Sequence, residues 1–512
     1  MNALAPREQD EISKKFTRRV GMSDESINYD VVVVGTGNAA CCAALAAVET
    51  GARVGILEKA AKRDRGGNSA LTGHIRFVFN GLEDLRPLVK STTEEELRRL
   101  LERLPRRTEA DMWDEVMRVT NNQSDQDMLQ VHVTESLKTV HWLASKGHDW
   151  VPGSQWNENI LNPNGGGWGL QQRHCTILEK LGAHFHYETA AVDLIRDAHG
   201  RVTGVQALSP QGHVQFNAKS VVLACGSFEA NPQMRAQYLG PGWDMVRVRG
   251  VPFNTGDGLR MALNIGAMAH GSWSSCHASP QDIDLPPFTV PSGVIHAEKN
   301  RYMHPYSLMV NTNGERFIDE ADDLRGKTYA KMGRAILTQP GGVAFQILDK
   351  KARTMNLYPP NYAKATTAKA NTLEKLAQEL DINVANFVRT ISEFNAAVPA
   401  DLPPFSTNVV VLDGRSTRGL AIPKSNYTVR IDEAPFEAFP VRCGMTFTFG
   451  GLKIDPKTAQ VQHVAGRPIP GLYAAGEMAG GLWVGNYASG SGMMAGSTFG
   501  RIAGAHAAAA IH

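Results

Sequence analysis

Four consecutive valines, Val31 to Val34, follow Tyr29 and Asp30 near the start of the chain. An unbroken β-branched run of this kind predicts a strand buried on both faces, as inside a parallel sheet. Small and polar residues follow, and Ala43 to Val48 then favours a helix that Gly51 ends. Arg53 to Leu57 predicts a second strand, closed by Glu58. Further on, Ala183 to Phe216 alternates in a strand-like way, with turn signals at His199-Gly200 and Pro210-Gln211-Gly212. Val221 to Leu223 predicts another buried parallel-type strand. Residues 81–150 are rich in Leu, Glu, Arg and Lys, and their runs Thr93 to Leu104 and Asp127 to Lys146 have helical periodicity. This stretch is expected to be a helical excursion whose charge runs form solvated faces. Leu373 to Val398 predicts a helix–turn–helix pair. Ile469 to Glu477 reads as a turn, a strand and a glycine corner, and a final helix is expected from about Met493 to Ala510.

The residues between the first strand and the first helix carry chemistry. Gly35-Thr36-Gly37-Asn38-Ala39-Ala40 has the G-x-G-x-x-A spacing of a dinucleotide-binding turn. Gly35 makes the tight turn, Gly37 lets the backbone approach a pyrophosphate, and the small Ala40 lets the helix pack close to the strand. The helix then points its free N–H groups and the positive end of its dipole at the phosphates. Glu58 is placed to accept hydrogen bonds from two ribose hydroxyls and would repel a 2′-phosphate, which disfavours NADP. This turn alone does not separate FAD from NAD. The stretch Arg65-Gly66-Gly67-Asn68-Ser69, the corner Gly476-Glu477 and the run Gly490-Ser491-Gly492 favour FAD, a long molecule enclosed by sequence-distant pieces.

Composition sets the frame. A chain of 512 residues, 42% hydrophobic and 20% charged, is globular and long enough for two domains or a domain with a large insertion. The net charge of +2 gives no reason to expect a nucleic-acid or membrane-surface partner. No apolar run approaches the roughly 20 residues needed to span a bilayer. Residues 1–28 mix charged residues without an apolar segment, so a polar tail without a secretory signal is expected. Six cysteines are scattered without CxxC spacing, which predicts reduced thiols in a cytoplasmic protein and no metal site.

Several stretches together resemble the flavoprotein subunit family of fumarate reductases and succinate dehydrogenases, in its soluble branch, from about Tyr29 to the C-terminus. They are the Gly35 turn, Gly66-Gly67-Asn68-Ser69, Val221 to Phe228, Asn254-Thr255-Gly256-Asp257-Gly258, Gly314-Glu315-Arg316-Phe317 and Gly450-Gly451. Within that family, Trp273 to His277, Tyr306 to Arg325 and Thr446 to Gly451 look most like tricarballylate dehydrogenases. The resemblance implies an α/β fold: a Rossmann-like FAD-binding domain (29–267 and 442–512) with an inserted α+β capping domain (268–441). It implies FAD contacts from Gly35, Gly37, Asn38, Ala39 and Ala40 at the turn, and from Glu58 and Lys59 after the second strand. Gly67, Asn68, Ser69, Thr72 and Gly73 would follow, then Ala191, Val192, Ala224, Gly226, Asn254 and Asp257, and finally Gly476, Glu477, Ser491, Gly492 and Met493. Gly226, Gly258 and Gly476 would sit at tight turns with or without a ligand. In succinate dehydrogenases a histidine that carries flavin covalently stands at the position of Asn68, so the resemblance implies non-covalent FAD here.

The same resemblance singles out candidates for the chemistry. Arg325 falls where fumarate reductases place an arginine that passes a proton to substrate, although one extra residue separates it from Glu320 and Gly326 replaces the usual Asp. As a fixed cation it also suits a bidentate clamp on a carboxylate; the alternative is a surface ion pair with Asp322 or Asp323. His277 matches a substrate-binding histidine approximately and Thr448 is expected to line the same site, while His74 and Arg76, which follow the Gly66–Gly73 loop expected beside the flavin ring, are secondary candidates. Two positions depart from the family: Thr446 stands for a histidine, and Tyr487 for an arginine that grips a second carboxylate. Those losses argue against fumarate or succinate, while Tyr487 suits a hydrogen bond to a carbonyl or the role of base, as in related ketosteroid dehydrogenases. The expected activity is FAD-dependent hydride transfer at a C–C bond next to a carboxylate or carbonyl of a small polar substrate, with tricarballylate to cis-aconitate as the candidate reaction. The alternatives are a ketosteroid- or enone-type dehydrogenase, a flavin monooxygenase, and an electron-carrying subunit without its own substrate. Without iron–sulfur spacing or a haem motif, electrons would pass to a separate quinone or redox protein.

Overall fold

The computed structural model describes residues 26–156, 158–291 and 296–510. Most of the expected polar tail lies outside the described residues, but residues 26–28 are not tail. They open the strand Ser26–Val34, because the long strand Gly212–Leu223 continues beside them and offers Gln215 to Asn217 as pairing partners.

An eight-stranded sheet carries the dinucleotide unit. Its path runs Gln460–Gln462, Pro468–Ala474, Gly212–Leu223, Ser26–Val34, Val54–Leu57, His184–His186, and all but the first of these pair in parallel. Val31, Val32 and Val33 are fully buried. The expected alternating stretch forms Ala190–Arg196, Val202–Ser209 and the start of Gly212–Leu223, and this last strand runs on unbroken through Val221 to Leu223 rather than leaving a separate buried strand. It holds together because Val202–Ser209 pairs antiparallel on one edge while Ser26–Val34 pairs on the other.

Two helices cross on this sheet at close range. Asn38–Val48 packs against the final helix Ser491–Ala509 through a seam of small residues. A Cβ on Gly504 would lie 2.0 Å from the Ala43 carbonyl oxygen, and one on Gly500 would lie 2.4 Å from that of Ala39. Asn38 links the pair, donating from Nδ2 to the Met493 carbonyl at 2.9 Å and to Ser497 Oγ at 2.8 Å. Both helices begin after a glycine, Gly37 and Gly490, that supplies no side-chain cap. Gly258, expected at a tight turn, lies instead inside the helix Asp257–Asn264, where a Cβ would meet Cys225 Sγ at 2.5 Å.

A second, six-stranded sheet is built on Phe436–Thr448. Cys276–Asp282 and Val343–Leu348 pair with it antiparallel, and Arg247–Val248 adds to it in parallel. This sheet therefore takes strands from both sides of the expected limits at 268 and 441. The register skips Thr446 opposite His277 and Ala278, which leaves a β-bulge in Phe436–Thr448 at its cavity end. The helix Arg325–Leu337 seats on this sheet at Gly333, whose Cβ would lie 2.4 Å from the Ala278 carbonyl carbon. The expected helix pair appears as Leu373–Glu379 and Val384–Ala396. Among the described residues no helix is long and apolar enough to cross a membrane. All six cysteines are free, and five of them are buried.

Candidate functional site

One long cleft runs from the Gly35 turn to the second sheet, with an empty volume of about 2120 Å³ counted out to its open mouth. Its lining runs from the Gly35 turn and the start of the final helix to the aromatic residues of the second sheet, which leaves room for a long cofactor with a substrate beside it. At its inner end the left-handed Gly35 (φ 108°) turns the chain so tightly that a Cβ would lie 2.6 Å from the Ala224 carbonyl oxygen. Glu58 closes the second strand. It accepts a short hydrogen bond from the Thr36 hydroxyl and one of 2.7 Å from the Ala60 N–H. Burial pushes its carboxyl above the usual range. Lys59 reaches across to Asp257 at 2.7 Å and to Thr255 Oγ1 at 2.6 Å.

Midway along the cleft, a polar cluster uses up the side chain of Asn68. Its Nδ2 donates to Glu229 Oε1 and to the Thr446 carbonyl, both at 2.8 Å, while its Oδ1 accepts the Val251 N–H at 2.9 Å. Asn254 Nδ2 donates to the same Glu229 oxygen at 2.5 Å. Glu477 accepts the Thr448 N–H at 3.0 Å and lies close to Glu229. Thr448 donates its hydroxyl to Ser227 Oγ at 2.5 Å.

The outer end is aromatic and cationic. The His277 ring stacks on Phe447 at 5.2 Å and meets Tyr487 and Tyr329 edge-on at 5.2 and 4.9 Å. Burial, and then the nearby Arg249 charge, hold His277 well below the ordinary histidine range, so it is a neutral ring at neutral pH. Tyr487 accepts the Gly492 N–H of the final helix at 2.7 Å, which leaves its O–H free to donate. Burial pushes that phenol up to about 12, a poor starting point for a base. Arg325 opens the helix Arg325–Leu337 and is half-buried on the cleft wall. The alternative of a surface ion pair fails: Asp322 is taken by Lys331 and Asp323 by Arg118. No ion pair of Arg325 exists among the described residues.

Arg325, His277, Thr448 and Tyr487 thus line a single cleft, together with most of the residues expected around the cofactor. Four of the latter do not reach its wall: Ala40, Gly73, Val192 and Ser491. Ala40 and Ser491 are buried inside their helices, and the Val192 carbonyl instead accepts from Arg260 at 3.2 Å. His74 does line the cleft, lowered to about 4 by burial and then by Arg325. Arg76 does not. It is completely buried, donating to the Ser489 carbonyl at 2.6 Å and pairing with Glu115 at 2.6 Å and Glu158 at 3.1 Å. Burial opposes the charge on Glu115, yet Arg76, Arg107 and Lys327 hold it down at about 2, so this part of the helical excursion is an interior ion network rather than a solvated face. Sequence reasoning also passed over Arg249, Glu158, Glu229, Tyr302 and Tyr329. None belongs to a local motif, and only the fold gathers them.

A Rossmann-type sheet, a glycine turn under an uncapped helix and a cleft of this length define an FAD-binding flavoprotein. The chain belongs to the FAD binding domain family, which it matches over residues 30–493, and it is an FAD-dependent oxidoreductase. It is 28% identical over 494 residues to a fumarate reductase (cytochrome) of Shewanella frigidimarina, covering 94% of this chain and 77% of that protein. The vinyl phenol reductase of Lactiplantibacillus plantarum is 28% identical over 532 residues, covering 95% of this chain and 97% of the relative. Among solved structures, the open conformation of a flavocytochrome c3 fumarate reductase superposes with a TM-score of 0.70 at 26% identity, over 100% of this chain and 82% of that one.

Proposed function

We propose that the protein catalyses hydride transfer at a C–C bond next to a carboxylate or carbonyl of a small polar substrate. FAD, when bound, supplies or accepts the hydride. The observation that carries this reading is Arg325, a half-buried guanidinium facing the cleft while its acidic neighbours are paired elsewhere. Such a group favours a carboxylate ligand, which it can hold bidentately. The neutral His277 ring and the free Tyr487 O–H would orient the substrate, with Tyr487 donating to its carbonyl or carboxyl oxygen. Thr448, committed to Ser227, shapes the wall beside the reacting carbon. The unit 268–441 would act as a cap that keeps water away during transfer.

FAD is held without a covalent bond in this reading. An amide nitrogen is not a nucleophile, and that of Asn68 already donates two hydrogen bonds. Electrons pass to or from a separate quinone or redox protein, in a cytoplasmic setting. Relatives named for fumarate and for vinyl phenol support chemistry at a C=C bond. A cyclic enone-type substrate is the second reading, favoured by the aromatic wall of Phe447, Tyr329 and Tyr487.

Anaerobic exposure of the holoprotein to polycarboxylates, including tricarballylate, and to ketosteroids and cyclic enones tests the proposal. A carboxylate substrate should bleach the flavin, and Arg325→Ala should slow that bleaching by about 10²-fold or more. Full turnover in the Arg325→Ala variant would overturn the role given to this residue.

A further inference from the structure

Arg249 lies on the same outer wall as Arg325, His277 and Tyr487. Its Nε donates to Asn300 Oδ1 at 2.9 Å, and one terminal nitrogen donates to Thr446 Oγ1 at 3.0 Å. Both acceptors are neutral. No ion pair of Arg249 exists among the described residues, and Glu158, the carboxylate on the wall near Gly326, is engaged by Arg76 and the Gly326 N–H. The outer cleft therefore presents two half-buried guanidinium groups without a countercharge from the chain. A cation withdrawn from water in this way is costly unless an anion meets it. Two neutral hydrogen bonds fix the orientation of the Arg249 fork, and its second terminal nitrogen stays available to a ligand.

We propose that Arg249 is a second carboxylate anchor, so that the preferred substrate is dianionic and places one carboxylate on Arg325 and another on Arg249. The inference rests on the carboxylate reading of the site given above. It assigns a purpose to Thr446, whose hydroxyl accepts from Arg249 and holds the guanidinium in place. The charged donors missing at positions 446 and 487 are thus replaced from a different segment, the loop after Arg247–Val248, rather than lost.

Binding of two unreactive ions to the holoprotein, malonate and acetate, separates this inference from the reading beneath it. Affinities would be read by calorimetry and by perturbation of the flavin absorbance. The wild type should bind malonate at least tenfold more tightly than acetate. Arg249→Met should weaken malonate at least tenfold, change acetate less than threefold, and keep the FAD content and melting temperature. Arg249→Lys, retaining the charge without the fork, should fall between them. An unchanged malonate-to-acetate ratio in folded Arg249→Met would overturn the second anchor, as would an equal loss of both ions. If neither ion binds the wild type, the carboxylate reading of the whole site falls, whereas loss of binding in Arg325→Ala with an unchanged ratio in Arg249→Met overturns only the inference about Arg249.

Discussion

At Gly326 the absence of a side chain is a structural requirement. Its N–H donates to Glu158 Oε1 at 2.7 Å, and a Cβ there would lie 2.3 Å from that same oxygen. The family resembled by the sequence has an aspartate at this position. Here Glu158, more than 160 residues earlier in the chain, brings its carboxylate to the Gly326 N–H instead. Glu158 cannot swing aside freely, because its other oxygen is held by the buried Arg76. Gly326→Ala is therefore expected to destabilise the protein by about 1–3 kcal/mol through overpacking. Thermal denaturation of the variant checks this, and an unaltered melting temperature would mean that Glu158 relocates without cost. At the same scale, His277 and Tyr487 emerge as hydrogen-bonding groups kept uncharged by burial, a narrower role than charge-based gripping.

Between elements, the crossing of Asn38–Val48 and Ser491–Ala509 governs the cofactor end of the cleft. Both helix N-termini open onto it, so their separation sets where the two positive dipole ends lie. Gly504→Val would drive a side chain into the Ala43 backbone, which cannot yield as a flexible side chain would. A loss of about 1–3 kcal/mol is expected, with FAD lost on gel filtration. Retention of one FAD per chain in a folded Gly504→Val protein would show that the seam is not needed. The strand–turn–helix–strand unit was legible because its signals are local: a valine run buried on both faces, two glycines at fixed spacing, a terminal acid. The final helix was legible for the same reason, although it begins at Ser491 rather than Met493. The single strand Gly212–Leu223 and the bulge opposite His277–Ala278 were not, since each depends on a partner strand distant in sequence. Arg249 and Arg76 illustrate the limit from both sides. Nothing local marks Arg249 as a cleft residue, and proximity to the Gly66–Gly73 loop suggested for Arg76 a role that its burial between Glu115 and Glu158 rules out.

Across the whole molecule, Glu229 and Glu477 join the two sheets and the cofactor cleft in one titrating unit. Glu229 follows the strand Gly212–Leu223, while Glu477 follows Pro468–Ala474 and receives the N–H of Thr448 from the second sheet. Glu229 is completely buried; Oε1 takes two amide donors, from Asn68 and Asn254, but Oε2 has no donor. Burial pushes Glu229 up to about 7, and burial together with the nearby Glu229 charge pushes Glu477 well above the usual range, so the buried pair holds on to a proton. The folded state thus holds a proton that the unfolded chain gives up near pH 4.5. The resulting stabilisation is complete below that value and is lost as pH rises through about 7. Melting temperature should therefore decline between pH 5 and pH 8. Glu229→Gln supplies the bridging donor permanently: its amide oxygen can accept from Asn68 and Asn254, and its nitrogen can donate to Glu477 as an ionised carboxylate. The variant should match the wild type near pH 5, exceed it by several degrees near pH 8, and flatten the slope between. A slope identical to that of the wild type would mean that the proton holding the two sheets together lies elsewhere.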